Sequence, residues 1–203
     1  MLNKITTALD DCILAIEQLK SHSAIQFIHQ VSELIADCFK RGGKIILAGN
    51  GGSLCDAAHF AEELTGFFRL KRQPLPALVL SEPGHLSCVA NDAGYEHVFA
   101  RGVEAFGKPG DIFIGLTTSG NSPSIVKAFL QADQQGMHTV SFLGKGGGKL
   151  HGVADYELLI SRFNTSDRIQ EAHMAAIHII IEQVENLLFY SPMVANQAIL
   201  IQN

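Results

Sequence analysis

Three groups of residues in this chain carry side chains suited to chemistry, and they lie far apart in the sequence. The first is Thr117-Thr118-Ser119-Gly120-Asn121-Ser122, followed directly by Pro123. Hydroxyls and backbone N–H groups crowd ahead of a proline, which fits the first turn of a helix because its missing N–H costs nothing there. A helix N-terminus offers unpaired N–H groups and positive potential, so the segment suits a phosphate dianion without needing a lysine. A capping loop with spare hydroxyls is the alternative reading. The second group is His59 and Glu63, four residues apart and therefore on one helix face, with Asp56 three residues before the histidine. An acid–base pair, two metal ligands and an exposed hydrogen-bonded pair all fit that spacing. The third group is Asp167-Arg168-Ile169-Gln170-Glu171 with His178, the latter set in the apolar run Ile177-His178-Ile179-Ile180-Ile181. A lone histidine in such a run is a satisfied core residue unless a carboxylate or ligand stands beside it. Gln170 and His178 point broadly the same way, but a rise of about 1.5 Å per residue separates them by about 12 Å along a straight helix. One ion binds both only at full stretch or at a site that also draws on another subunit.

Two glycine- or amide-rich turns complete the candidate set. Gly49-Asn50-Gly51-Gly52-Ser53 permits close backbone approach to a ligand, with Asn50 and Ser53 as polar contacts. It lacks the Gly-Lys-Ser/Thr ending of a Walker loop and is not GxGxxG, which disfavours nucleotide binding. Asn91-Asp92 is either a third polar lip or a surface turn.

The elements that must position these groups follow from the apolar pattern. Residues 4–20 and 23–41 have helical spacing, with Gly42-Gly43 ending the second helix. The short apolar run 44–48 enters the glycine loop as a buried strand, and Ser53 is suited to cap the helix that continues to about residue 64. Strands at 77–81, 111–116, 138–143 and 156–160 alternate with helices near 85–91 and 123–135, and residues 165–189 form a long closing helix. Five apolar runs alternating with helices predict an α/β fold with a parallel sheet covered on both faces. Both candidate ligand loops then follow strand ends, where such sheets bind ligands.

Composition bounds the partners. The chain has 203 residues, 47% hydrophobic and 17% charged, enough for one well-cored domain. Twenty acids against 15 bases give a formal charge of −5, with no basic run for nucleic acid. The N-terminal segment has acids among its apolar residues, so neither a signal sequence nor a membrane span is expected, and a cytoplasmic location is. Cys12, Cys38, Cys55 and Cys88 form no CxxC pair and sit in apolar segments, so they are expected to be reduced and mostly buried. The apolar tail at 191–203 is suited to pack on a neighbouring subunit, though nothing in it requires that.

Taken together, these segments resemble the bacterial phosphoheptose isomerases of the sugar isomerase (SIS) domain superfamily over about residues 36–188. The most specific matches are Gly49 to Ser53 running into Asp56-Ala57-Ala58-His59-Phe60-Ala61-Glu62-Glu63-Leu64-Thr65-Gly66, then Asn91-Asp92, then Ser119-Gly120-Asn121-Ser122, then Asp167 to Glu171 with His178. The resemblance implies a flavodoxin-like three-layer SIS domain at 42–190, preceded by a helical extension at 1–41 and followed by the 191–203 tail. It implies substrate contacts at Asn50, Gly51, Gly52, Ser53, Asn91, Asp92, Thr117, Thr118, Ser119, Ser122, Asp167 and Gln170, with catalysis by Glu63 and His178. It further implies a zinc ion at His59, Glu63, Gln170 and His178, and a homotetramer with active sites between subunits. The reaction would convert sedoheptulose 7-phosphate to an aldose phosphate for bacterial surface polysaccharide. Two positions depart from the pattern: Thr117 stands where relatives have serine, which keeps the hydroxyl and adds a methyl, and Leu54 replaces a polar residue. The rival is a non-catalytic SIS module resembling a protein that binds the bacterial replication initiator. That relative departs at the positions of Glu63 and His178, both present here.

Overall fold

Continuous apolar runs in five short strands decide the architecture of the computed structural model, which describes residues 2–190. The strands are β1 (Ile45–Gly49), β2 (Ala77–Val79), β3 (Ile112–Thr117), β4 (His138–Gly144) and β5 (Tyr156–Ile160). They form one parallel sheet in the order β2-β1-β3-β4-β5. Successive side chains point to opposite faces, and both faces are apolar, so each must be covered. Ile45, Leu47, Ile112, Ile114, Val140 and Phe142 supply one core, and Ile46, Ala48, Phe113 and Leu143 supply the other.

The first core is covered by α1 (Leu2–Glu17), α2 (His22–Lys40), α3 (Gly52–Thr65) and α7 (Ser166–Glu185). The second is covered by α4 (Pro83–Ala93), α5 (Val98–Phe106) and α6 (Pro123–Gln134), with Phe99 and Phe129 fully buried. Ala15, Leu19, Phe27, Val31 and Ile35 join the first core, so the two N-terminal helices are built into the same body as the sheet. The expected tail at 191–203 lies outside the described residues. No helix among those residues is long and apolar enough to cross a membrane.

The strand order reverses direction between β1 and β3, and this is the switch point where open parallel sheets hold ligands. The loops that leave β1 and β3 flank it. Both are the loops singled out by their composition.

Candidate active site

The half of the site at the N-terminal ends of α3 and α6 is built by two backbone constraints. Gly51 takes φ 55 and ψ −125, which a residue with a Cβ rarely adopts, and this lets the chain turn straight from β1 into α3. Helix α3 therefore starts at Gly52 with Gly51 in the capping position, and Ser53 is not the cap the sequence suggests. Released from capping, the Ser53 side chain is buried toward the adjoining cavity. Gly120 is the second constraint: at φ 64 it passes so close to Gly147 that a Cβ would stand 1.7 Å from the Gly147 carbonyl oxygen. That contact seats the β3 loop against the loop that follows β4.

Between these loops lies a cavity of about 400 Å³, lined by Asn50, Gly52, Ser53, Thr117, Thr118, Ser119, Ser122, Ser166 and Gln170 together with Leu116. Its walls are hydroxyls and amides at the N-terminal ends of α3, α6 and α7. No side chain in that lining carries a charge, so an anion held there is met by hydrogen-bond donors and helix termini. The hydroxyls are ordered by one another: Thr118 Oγ1 lies 3.0 Å from Ser166 Oγ, and the Asn121 N–H donates to Ser119 Oγ at 3.2 Å. Asn50 is held from two sides, donating Nδ2–H to Ser124 Oγ at 3.0 Å and accepting from the Tyr95 hydroxyl at 2.8 Å. Gln170 turns its amide to Ser53 Oγ at 3.5 Å and packs over Gly52, where a Cβ would meet it at 2.5 Å.

A cluster of titratable side chains lies further along the α3–α7 seam. His59 Nε2 is 3.0 Å from His178 Nε2 and 3.4 Å from Glu63 Oε1, and one ligand atom from each of the three residues falls within 4.8 Å of the others. His178 is thus half-buried beside a carboxylate, the circumstance that separates a working histidine from a core one. Phe68 stacks on its ring with centroids 5.8 Å apart. His59 Nδ1 lies 3.1 Å from Glu62 Oε1. If that nitrogen carries the proton, Nε2 presents a lone pair to His178 and Glu63. Two imidazole nitrogens and a carboxylate oxygen converging on one point form the donor set zinc prefers, so the three residues fit such an ion.

Asp56, one turn before His59, is a feature whose significance the spacing did not disclose. Its Oδ2 is buried without a partner, and burial pushes its carboxyl up to about 6 against the opposing pull of His59. By contrast Asn91 and Asp92 are exposed in the last turn of α4, where the Asn91 amide donates to Asp92 at 2.8 Å, and neither lines the cavity. Asp167 is exposed in the first turn of α7, its carboxyl held below the usual range by hydrogen bonds from Thr165 and the Arg168 N–H. Gln170 and His178 stand where a straight helix puts them, one at the cavity and the other at the His59 cluster. Ser166 is a further cavity wall, absent from the motifs above, and its place at the head of α7 in Thr165-Ser166-Asp167 is the sequence signal for it.

The cysteines depart from expectation. Cys38 is buried and Cys12 half-buried, while Cys55 and Cys88 are exposed. Cys55 lies on the face of α3 away from Ala57, Phe60, Ala61 and Leu64, and α4 buries no residue at all.

The parallel 2-1-3-4-5 sheet is a flavodoxin-like arrangement with its ligand loops at the switch point, and the match of residues 11–144 to the SIS domain family makes this a SIS-domain protein. A phosphoheptose isomerase of Fusobacterium nucleatum is 55% identical over 160 residues, covering 79% of this chain and 82% of that protein. Among solved structures, the phosphoheptose isomerase GmhA of Neisseria gonorrhoeae superposes with a TM-score of 0.85 at 32% identity, covering 91% of this chain and 98% of the other. A phosphoheptose isomerase from Francisella tularensis gives 0.86 at 30% identity with the same coverage. The chain belongs to the phosphoheptose isomerase family.

Proposed function

We propose that the protein converts D-sedoheptulose 7-phosphate to D-glycero-D-manno-heptopyranose 7-phosphate, an aldose–ketose isomerisation that supplies heptose for bacterial surface polysaccharide. The observation that carries the proposal is the convergence of Glu63, His59 and His178 on the same two helices whose N-terminal ends wall the hydroxyl-lined cavity. The cavity loop grips the phosphate, with Asn50, Gly51, Gly52, Ser53, Thr117, Thr118, Ser119, Ser122 and Gln170 as its contacts, while Asn91, Asp92 and Asp167 reach the substrate from the rim.

Isomerisation moves a proton between C1 and C2 through an enediol, so it needs one base for carbon and one proton carrier for the oxygens. Glu63 takes the C1 proton and returns it to C2. His178 donates to the carbonyl oxygen at C2 and removes the hydroxyl proton at C1 as the new carbonyl forms. His59, between them, fixes both groups. Zinc is the implied cofactor, with His59, Glu63 and His178 as ligands on this geometry, while Gln170, the fourth ligand of the family pattern, is turned to Ser53 at the cavity here and would have to swing toward the cluster to join them. Once bound it supplies positive charge that polarises a carbonyl and stabilises developing enediolate charge. Glu63 has two carboxylate oxygens, so one would remain for the proton if the other held an ion.

Two further readings belong to this proposal. The protein acts in the cytoplasm as a homotetramer with its sites at subunit interfaces. Supporting this, α1 exposes Leu2, Ile5, Leu9, Ile13 and Ile16 at spacings of three and four residues, an apolar stripe suited to another copy of the chain. Light scattering is expected to give the mass of four chains. The domain division is 1–41 as helical extension and 42–190 as SIS domain. The alternative of a non-catalytic module that binds the replication initiator has no support among the relatives.

The test is to incubate the protein with sedoheptulose 7-phosphate and follow the sugar by NMR with and without added zinc. The aldose phosphate is expected. Absence of turnover under both conditions would reject the isomerase reading.

A further inference from the structure

Arg72 and Glu185 form an ion pair that is almost wholly buried, with side chains 2% and 3% exposed and Nε–H donating to Oε1 at 2.7 Å. A buried pair of this kind rarely adds net stability over well-packed apolar residues, because desolvation offsets the attraction. What the guanidinium touches gives it another role. Its Nη2–H donates to the backbone carbonyl of Glu63 at 2.7 Å, and Nη1 donates to the carbonyls of Leu64 and Gly66 at 2.7 and 2.8 Å. These belong to the C-terminal end of α3, where carbonyls lack partners within the helix and the dipole favours a cation. Glu185 is the last residue of α7, seven positions beyond His178. One side chain therefore ties the end of the helix carrying His59 and Glu63 to the end of the helix carrying His178.

We infer that Arg72 and Glu185 are positioning residues that hold α3 and α7 in lengthwise register, so that His59, Glu63 and His178 meet. Sliding either helix by one turn would move its side chains by about 5.4 Å, enough to break the 3.0 Å approach of the two imidazoles. The segment between α3 and β2 that carries Arg72 also carries Phe68, which stacks on His178. The phosphate cavity lies at the opposite, N-terminal ends of both helices, with Gly52, Ser53, Ser166 and Gln170 in its wall. Losing the brace should therefore loosen the reactive half and spare the grip. The inference rests on the isomerase reading only for its kinetic consequence.

The test uses two variants of the full chain. Glu185→Gln keeps the shape and an acceptor for Arg72, and the double variant Arg72→Met with Glu185→Met replaces the pair by apolar groups of similar length. Zinc affinity by calorimetry is expected to fall at least tenfold in the double variant and less in Glu185→Gln, with kcat falling in parallel. Affinity for inorganic phosphate should stay within twofold of the parent in both. A folded double variant that keeps zinc affinity and kcat within twofold of the parent would overturn the inference. So would a matching fall in phosphate affinity, which would mark a general loosening, or failure of Glu185→Gln to fold, which would make the pair a requirement of the fold. If the parent itself lacks turnover, the isomerase reading fails, while the zinc and phosphate affinities still decide the brace.

Discussion

His173 and His178 lie five residues apart on α7, yet they serve opposite ends. His173 is wholly buried, its ring edge-on to Phe142 and its Nε2 bonded to the Leu143 carbonyl at 3.0 Å, with Nδ1 left unpartnered. Burial drives its pKa down to about 4, so it stays neutral in the folded protein. His178 is half-buried on another face of the helix, against His59 and near Glu63. The same residue type in the same apolar run is a packing element on one face and, on the other, the proton carrier of the proposed isomerisation. What separates them is the partner across the helix seam, which α3 brings to His178 and β4 does not bring to His173.

The largest expected effect is kinetic and distinguishes the two. His178→Gln should lower kcat by about a hundredfold to ten-thousandfold, the range for a lost general acid–base group, with the thermal midpoint little changed. His173→Ala should do the reverse. It leaves a core cavity and removes a hydrogen bond, costing about 3 kcal/mol of stability by denaturant titration, while kcat per folded molecule stays within about threefold. A comparable loss of kcat in both variants would erase the distinction.

The next effect is read from pH. Below the ordinary histidine value of 6.5 the unfolded chain takes up a proton at position 173 that the folded protein refuses. The contribution of His173 is therefore complete above pH 6.5 and lost as the pH falls toward 4, by about 3 kcal/mol. Stability curves of His173→Gln and the parent should converge across that window. Asp56 has the opposite sign. Its pKa is raised from 3.8 to about 6, so the folded protein holds a proton that the unfolded chain has released, and stability is lost as the pH rises through 6. This is the smallest effect, because Asp56 is only half-buried as a residue, whereas His173 is wholly buried. Asp56→Asn should raise stability at pH 7 by about 1 kcal/mol, with the gain vanishing below pH 4.

The strand runs were legible because a sheet covered on both faces must be apolar throughout, and all five strands lie where the runs place them. The hydroxyl-lined cavity wall was legible because Thr117, Thr118, Ser119 and Ser122 fall within six residues of one loop. Glu63 and His178 came from the family pattern, since a helix face alone left His59 and Glu63 open to three readings. The loss of Ser53 as a cap depends on the φ of Gly51, which is a backbone property that residue order does not reveal. The exposure of Cys55 and Cys88 depends on which face each helix turns inward, and their apolar neighbours gave the wrong indication. Arg72 and Glu185 stand 113 positions apart and become partners only when α3 and α7 are laid side by side.

The central claim is that Glu63 performs the carbon proton transfer on a sugar phosphate held elsewhere, by the loop from Thr117 to Ser122. Its most direct test is Glu63→Gln, with sedoheptulose 7-phosphate binding measured by calorimetry and turnover followed by NMR on the same preparation. The account predicts that turnover falls by about a hundredfold or more while binding stays within about threefold. Turnover at the parent rate would contradict it, and so would loss of binding in step with turnover.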